Sequence, residues 1–189
     1  MIVLVLGLII FLGAHSVRIV AESWRARRIE RLGEKRWKGL YSLASISGLV
    51  LIVWGYGLAR ADPVVLWQPP VWTRHLAALL TLPVFVLIAA AYIPGTHIRV
   101  KLGHPMLIGV KLWAAAHLIA NGTLADALLF GGFLLWAIFD FKAARAGDRA
   151  TGVRHAAVGT SRDVKAVVAG LVIWVAFAFY LHAWLIGVR

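Results

Sequence analysis

The chain has 189 residues, of which 61% are hydrophobic and only 15% charged, and its mean hydropathy is +0.83. A soluble domain is about 45–50% apolar and about 25% charged, so this balance excludes a water-soluble globule and a disordered chain. Cysteine is absent, which removes disulfides, thiolate zinc sites, iron–sulfur clusters and thiolate-ligated haem. The formal net charge is +12, a value that in a soluble protein would point to nucleic acid.

A membrane-spanning helix needs about 20 mostly apolar residues. Six stretches approach that length: 2–20, 40–59, 75–93, 105–120, 124–141 and 166–187. The fourth is the shortest and carries Lys111. The first has no basic residue ahead of its apolar run and no small-x-small site behind it, so it reads as an uncleaved anchor. The predicted fold is all-α: one domain over 1–189, a polytopic membrane helix bundle with about six transmembrane helices.

The connections settle what the charge is for. Sixteen of the twenty Lys and Arg fall at the end of span 1 or in the first, third and fifth connections, and three fall on the opposite side. Basic residues accumulate in cytoplasmic loops, so both termini are expected outside and the three basic connections inside, at a bacterial inner membrane. Lys and Arg beside anionic headgroups are worth about 1 kcal/mol each. The lipid bilayer therefore accounts for the basic surface, and no nucleic-acid partner is expected. The first connection, 22–38, places Trp24, Ile29, Leu32 and Trp37 among its charges and reads as an interfacial helix. The stretch 145–162 holds Gly147, Gly152 and Gly159 and reads as a flexible loop with little structure. No internal repeat or matched helix break supports an inverted-repeat transporter. Ala44 with Gly48, Gly55, Gly131 with Gly132, and Ala166 with Gly170 are close-packing positions. Pro83 is expected to kink the third span, and Pro94–Gly95 to end it.

Polar groups at membrane depth need a partner or a function. Of seven histidines, His155 and His97 fall in connections and are expected to be solvated. His15, His75, His117 and His182 fall within spans, and His104 stands at the mouth of span 4. His15, Arg18 and Glu22 follow i, i+3, i+7 spacing. That predicts one polar stripe, with an Arg18–Glu22 pair at the interface beneath a hydrogen-bonded histidine. Each lone histidine is as well explained by packing as by ligation. Several directed into one small bundle favour a cofactor. Neutral imidazole is a common metal ligand, and bis-histidine ligation of haem suits an apolar helical bundle. Arg18 and Arg74 are candidate partners for the propionates. Zinc is less supported, because no H-E-x-x-H occurs and the spans hold only Asp126 and Asp140 as acids.

Several motifs resemble the NnrU family across nearly the whole chain. The opening Gly13-Ala14-His15-Ser16-x-Arg18 is one, followed by Arg36-Trp37-Lys38-Gly39-Leu40-Tyr41-Ser42-Leu43-x-Ser45. The central motif is the most specific: His104-Pro105-x-x-x-Gly109-x-x-Leu112-Trp113-Ala114-x-Ala116-His117-Leu118-x-x-Asn121-Gly122. Leu128-Leu129-Phe130-Gly131-Gly132-Phe133 and His182-x-Trp184-Leu185-Ile186-Gly187-Val188 complete the match. NnrU-type proteins are in turn similar to 15-cis-zeta-carotene isomerase, a membrane haem b enzyme. The resemblance implies haem b held by His15 and His117. His75, His104 and His182 are further candidate cofactor-binding imidazoles by their positions within or at the mouth of the spans. It also implies a role connected with nitrite and nitric oxide reduction in denitrification. The isomerase has a cysteine three residues before its second histidine. Ala114 stands there, so thiolate ligand exchange is unavailable.

By helix rise, His15 lies roughly 6 Å inward of the centre of its span and His117 roughly 7 Å outward of its own. A porphyrin joining them would lie fairly flat in the membrane. His75, His117 and His182 share the outer third by the same count and form a rival cluster, with His117 and His182 as the second-choice pair. The functional expectation is a b-type haem protein with a redox or sensing role in nitrogen-oxide metabolism. Two alternatives stand beside it. One is a cofactor-free membrane scaffold for nitrite or nitric oxide reductase components. The other is a haem-dependent isomerase of a polyene or other hydrophobic small molecule. A methyltransferase reading of the His-Pro motif lacks the downstream Arg and acidic pair that S-adenosylmethionine requires.

Overall fold

The computed structural model describes residues 1–153 and 156–186, so His155 and the end of the last expected span at Gly187 lie outside the described residues. The described chain is predominantly helical: α1 (Ile2–Val20), α2 (Glu22–Leu32), α3 (Glu34–Ala61), α4 (Trp72–Tyr92), α5 (His97–Leu102), α6 (Pro105–Ala120), α7 (Leu124–Thr151), α8 (Thr160–Ala176) and α9 (His182–Ile186). A single π-helical turn, Phe177–Leu181, joins the last two. The all-α membrane fold expected from hydropathy is the one observed. Helices α1, α3, α4, α7 and the run from α8 into α9 are long and apolar enough to cross a membrane. Helix α6 forms where the fourth span was expected but has 16 residues. At 1.5 Å per residue it covers about 24 Å, short of a hydrocarbon core of about 30 Å.

The chain divides into two compact units, each assembled from two stretches. Unit 1 comprises Met1–Gln68 and Asn121–Asp140, and unit 2 comprises Pro69–Ala120 and Phe141–Arg189. In unit 1, α1 lies along α3 with their backbones in contact. A Cβ on Gly7 would stand 2.6 Å from the Ile52 nitrogen, and one on Gly48 would stand 2.7 Å from the Phe11 nitrogen. At Gly55 the clash would be with the Leu4 backbone. Only glycine allows this approach, and close backbone contact is what holds helices together in lipid. The connection after α3 pairs with the turn before α7: Leu66 N–H donates to Gly122 O (2.8 Å) and Leu124 N–H to Val64 O (2.8 Å). In unit 2, α4 packs against α6 and α8. Gly170 meets the Val86 backbone in the same manner, with a Cβ there placed 2.6 Å from Val86 Cα. Trp174 Nε1–H donates to Thr81 Oγ1 at 3.2 Å between α8 and α4.

Three local expectations change. Helix α1 does not run on to Glu22, because Ala21 leaves the helical region (φ −140°, ψ 39°) and α2 begins afresh. The interfacial helix is therefore α2, with no buried residue. Gly33 (φ +78°) separates it from α3, which takes up 34–38. Trp24 and Trp37 meet edge-on across that joint at 5.9 Å. The stretch 145–151, expected as loop, continues α7. Ala143, Ala144, Arg145 and Ala146 are strong helix formers, and the helix stops only where Gly152 takes φ +66°. Pro83 sits within the continuous helix α4, and that helix ends before Pro94–Gly95, with Gly95 at φ +79°.

Candidate functional site

His15 is half-buried on α1, in an aromatic surround contributed by three helices of unit 1. Its Nδ1 is 2.7 Å from the carbonyl oxygen of Phe11, one turn earlier. A carbonyl only accepts, so Nδ1 carries the proton and Nε2 carries the lone pair. The Phe11 ring stacks on the imidazole at 4.2 Å. Tyr41 of α3 lies 5.3 Å away, and Trp136 of α7 meets the ring edge-on at 5.9 Å.

His117, on α6 in unit 2, repeats the construction. Its Nδ1 is 2.8 Å from the Trp113 carbonyl oxygen, and the Trp113 ring lies 5.2 Å from the imidazole. An aromatic residue four positions before a histidine places both rings on one helix face, while the carbonyl of that turn orients the imidazole. Only these two of the seven histidines have an aromatic residue at that spacing. A ring N–H donated to a carbonyl is also how metal-ligating histidines are commonly oriented.

Arg18 does not pair with Glu22. The break at Ala21 turns Glu22 away, and Glu22 accepts from Arg25 Nη1 at 2.9 Å. Arg18 Nε instead approaches Asp140 Oδ1 of α7 at 3.2 Å. The approach is an ion pair without hydrogen-bond alignment, so the buried Oδ1 has no hydrogen-bond partner. The same holds for Trp136 Nε1, one turn earlier on the same face. Burying an unmatched polar group costs about 1–3 kcal/mol, so a polar arrangement beside His15 persists against its own desolvation. Sequence reading missed Trp136 and Tyr41 as neighbours of His15, and Asp140 as the partner of Arg18. The available signal was the i, i+4 spacing of Trp136 and Asp140 in an otherwise apolar span.

The remaining imidazoles are placed differently, all within unit 2. His104 Nε2 contacts Asp148 Oδ2 at 2.8 Å, which occupies its outer nitrogen with a carboxylate. His97 is paired as well as solvated, with Nδ1 2.6 Å from Asp163 Oδ2. His75 and Arg74 are exposed near the start of α4. His182 follows the π turn, with its ring edge-on to Phe177 at 5.8 Å. Among the described residues no three His, Asp or Glu side chains gather as a metal site. His75, His117 and His182 accordingly do not make a three-ligand metal site.

At the other end of α7, Asp126 is buried and fully used. Its Oδ1 accepts from Tyr56 O–H at 2.5 Å, and its Oδ2 accepts from Thr123 N–H at 3.0 Å and Thr123 O–H at 2.6 Å. Asp126 N–H returns a bond to Thr123 Oγ1, giving a reciprocal cap on α7.

No curated protein and no solved structure matches the chain. A family model described as NnrU protein matches residues 3–189, nearly its full length. With apolar helices of crossing length and the His-Pro motif at the head of α6, the chain belongs to the NnrU family.

Proposed function

We propose that this protein binds haem b in the bacterial inner membrane through His15 and His117, and that it serves a redox or sensing role in nitrite and nitric oxide metabolism. The observation that carries the reading is the shared anchoring of the two imidazoles. Each Nδ1–H is committed to the carbonyl one turn back, at 2.7 and 2.8 Å. That bond fixes the tautomer and ring plane. Each imidazole by itself has surroundings suited to an apolar macrocycle: Phe11, Tyr41 and Trp136 around His15 in unit 1, and Trp113 beside His117 in unit 2. Arg18 offers the positive charge a propionate requires, although it is shared with Asp140.

When bound, haem supplies an iron centre able to exchange one electron or to take a diatomic oxide. The protein holds the imidazoles neutral and oriented and surrounds His15 with aromatic rings. Ala114, fully buried one turn before His117, supplies no thiol. That favours stable bis-imidazole ligation over the ligand exchange of an isomerase. The nitrogen-oxide context rests on the family resemblance.

The test is the absorption spectrum of the full-length protein purified in detergent after haem supplementation, oxidised and dithionite-reduced. A Soret band is expected, lost or converted to a five-coordinate form in His15→Ala and in His117→Ala. His75→Ala should leave it unchanged. A haem-supplemented protein without a Soret band, or a Soret band left unchanged by both alanine substitutions, overturns the proposal.

A further inference from the structure

We infer that unit 2 carries a binding site for the headgroup of one anionic phospholipid, built around Arg145 at the C-terminal end of α7. The site is an open surface hollow of about 240 Å³ along α7, lined by Phe141 and the exposed Lys142, Arg145 and Arg149. The three cations follow i, i+3, i+7 spacing and so project from one face of α7. No carboxylate lines the hollow. The nearest acid in the sequence, Asp148, is committed to His104 at 2.8 Å. Asp148 keeps a negative charge beside Arg145 at the Gly103 turn, but Lys142, Arg145, Arg149 and the neighbouring Lys111 outnumber it.

Arg145 is held in place from two sides. Its guanidinium carbon lies 6.0 Å from the Phe141 ring centroid. Its Nη1 closes on the turn at Gly103, where a Cβ would stand 3.4 Å away. A restrained planar guanidinium suits two-point recognition of a phosphate. Lys111 Nζ stands 3.8 Å from the same Phe141 ring, adding a fourth cation next to the hollow.

The ligand follows from where the hollow lies along α7. From Leu124 to Phe141 the helix carries no Lys or Arg, and Lys142 is its first cation. The hollow thus opens where an apolar span gives way to charge, the level at which lipid phosphates lie. Its one uncharged lining residue is an aromatic ring, suited to a glycerol backbone and chain rather than to a free, fully hydrated phosphate. This inference is independent of haem.

The test is native mass spectrometry of the full chain in detergent, titrated separately with phosphatidylglycerol, phosphatidylcholine and inorganic phosphate. One phosphatidylglycerol is expected to be retained, and phosphatidylcholine not. Affinity should fall about five-fold per cation removed, so Arg145→Ala/Arg149→Ala should bind on the order of 25-fold more weakly. Arg27→Ala/Arg31→Ala, which removes equal charge from exposed positions of α2, should retain lipid as before. Retention of phosphatidylcholine to the same extent overturns the inference. So does equal loss in both double variants, or complete displacement of the lipid by inorganic phosphate.

Discussion

Arg18 and Asp140 form an unequal pair. The Arg18 side chain is 54% exposed while that of Asp140 is 6% exposed, so removing one partner is not equivalent to removing the other. Arg18→Ala strands a buried carboxylate and should cost about 3–5 kcal/mol. Asp140→Asn leaves an exposed guanidinium in water and should change stability by under about 1 kcal/mol. Thermal unfolding in detergent should show that order, with Arg18→Ala/Asp140→Asn recovering most of the loss. Equal effects of the two single variants would refute it. At the opposite end of α7, Tyr56→Phe removes the donor to Asp126 Oδ1 and should cost about 1–3 kcal/mol by the same measurement. Little of this was legible in the chain. The i, i+3 spacing of His15 and Arg18 sets both on one face of the continuous helix α1. The partner of Arg18 was misassigned, because a heptad count assumes an unbroken helix and Ala21 breaks it.

Among the helices, glycine decides which faces touch. Gly7→Ala and Gly170→Ala each place a methyl against backbone at 2.6 Å. Backbone cannot rotate aside, so each should destabilise its helix pair by about 1–3 kcal/mol. Gly131 faces nothing within 4 Å. Gly131→Ala should therefore be neutral or stabilising by up to about 1 kcal/mol through helix propensity. Comparing melting temperatures of the three variants checks this, and a Gly131→Ala loss as large as the others would contradict it. Hydropathy located every long helix to within a few residues at most ends. It failed where polarity and helicity part company: 145–151 is polar yet helical because alanine-rich sequence extends α7 beyond its apolar run. Small residues at Gly48, Gly55 and Gly170 were readable as packing sites, whereas Gly7, their counterpart on α1, was not distinguishable from any other glycine in an apolar span.

For the molecule as a whole, the asymmetric charge makes a topological prediction that the absence of native cysteine renders simple to test. Single cysteines at Glu30 and Arg149 should react with membrane-impermeant maleimide only from the cytoplasmic side. A cysteine at Gln68 should react only from the outside. Labelling of Gln68→Cys and Glu30→Cys from the same side would overturn the assignment.

Amino-acid content by itself determined that this chain is helical and embedded in lipid. In hydrocarbon each backbone N–H and C=O must be satisfied within its own segment, so an apolar run of sufficient length has one outcome, readable from neighbours in the chain. The motifs around His15 and His117 likewise announced themselves, since an aromatic residue and a histidine one turn apart meet within a single helix. The remainder required the folded molecule. That Asp140 rather than Glu22 meets Arg18, that Tyr41 and Trp136 close around His15, and that Lys111 reaches Phe141 all depend on contacts between helices distant in the chain. Such contacts follow from which backbones can approach closely, and that is settled by packing in three dimensions.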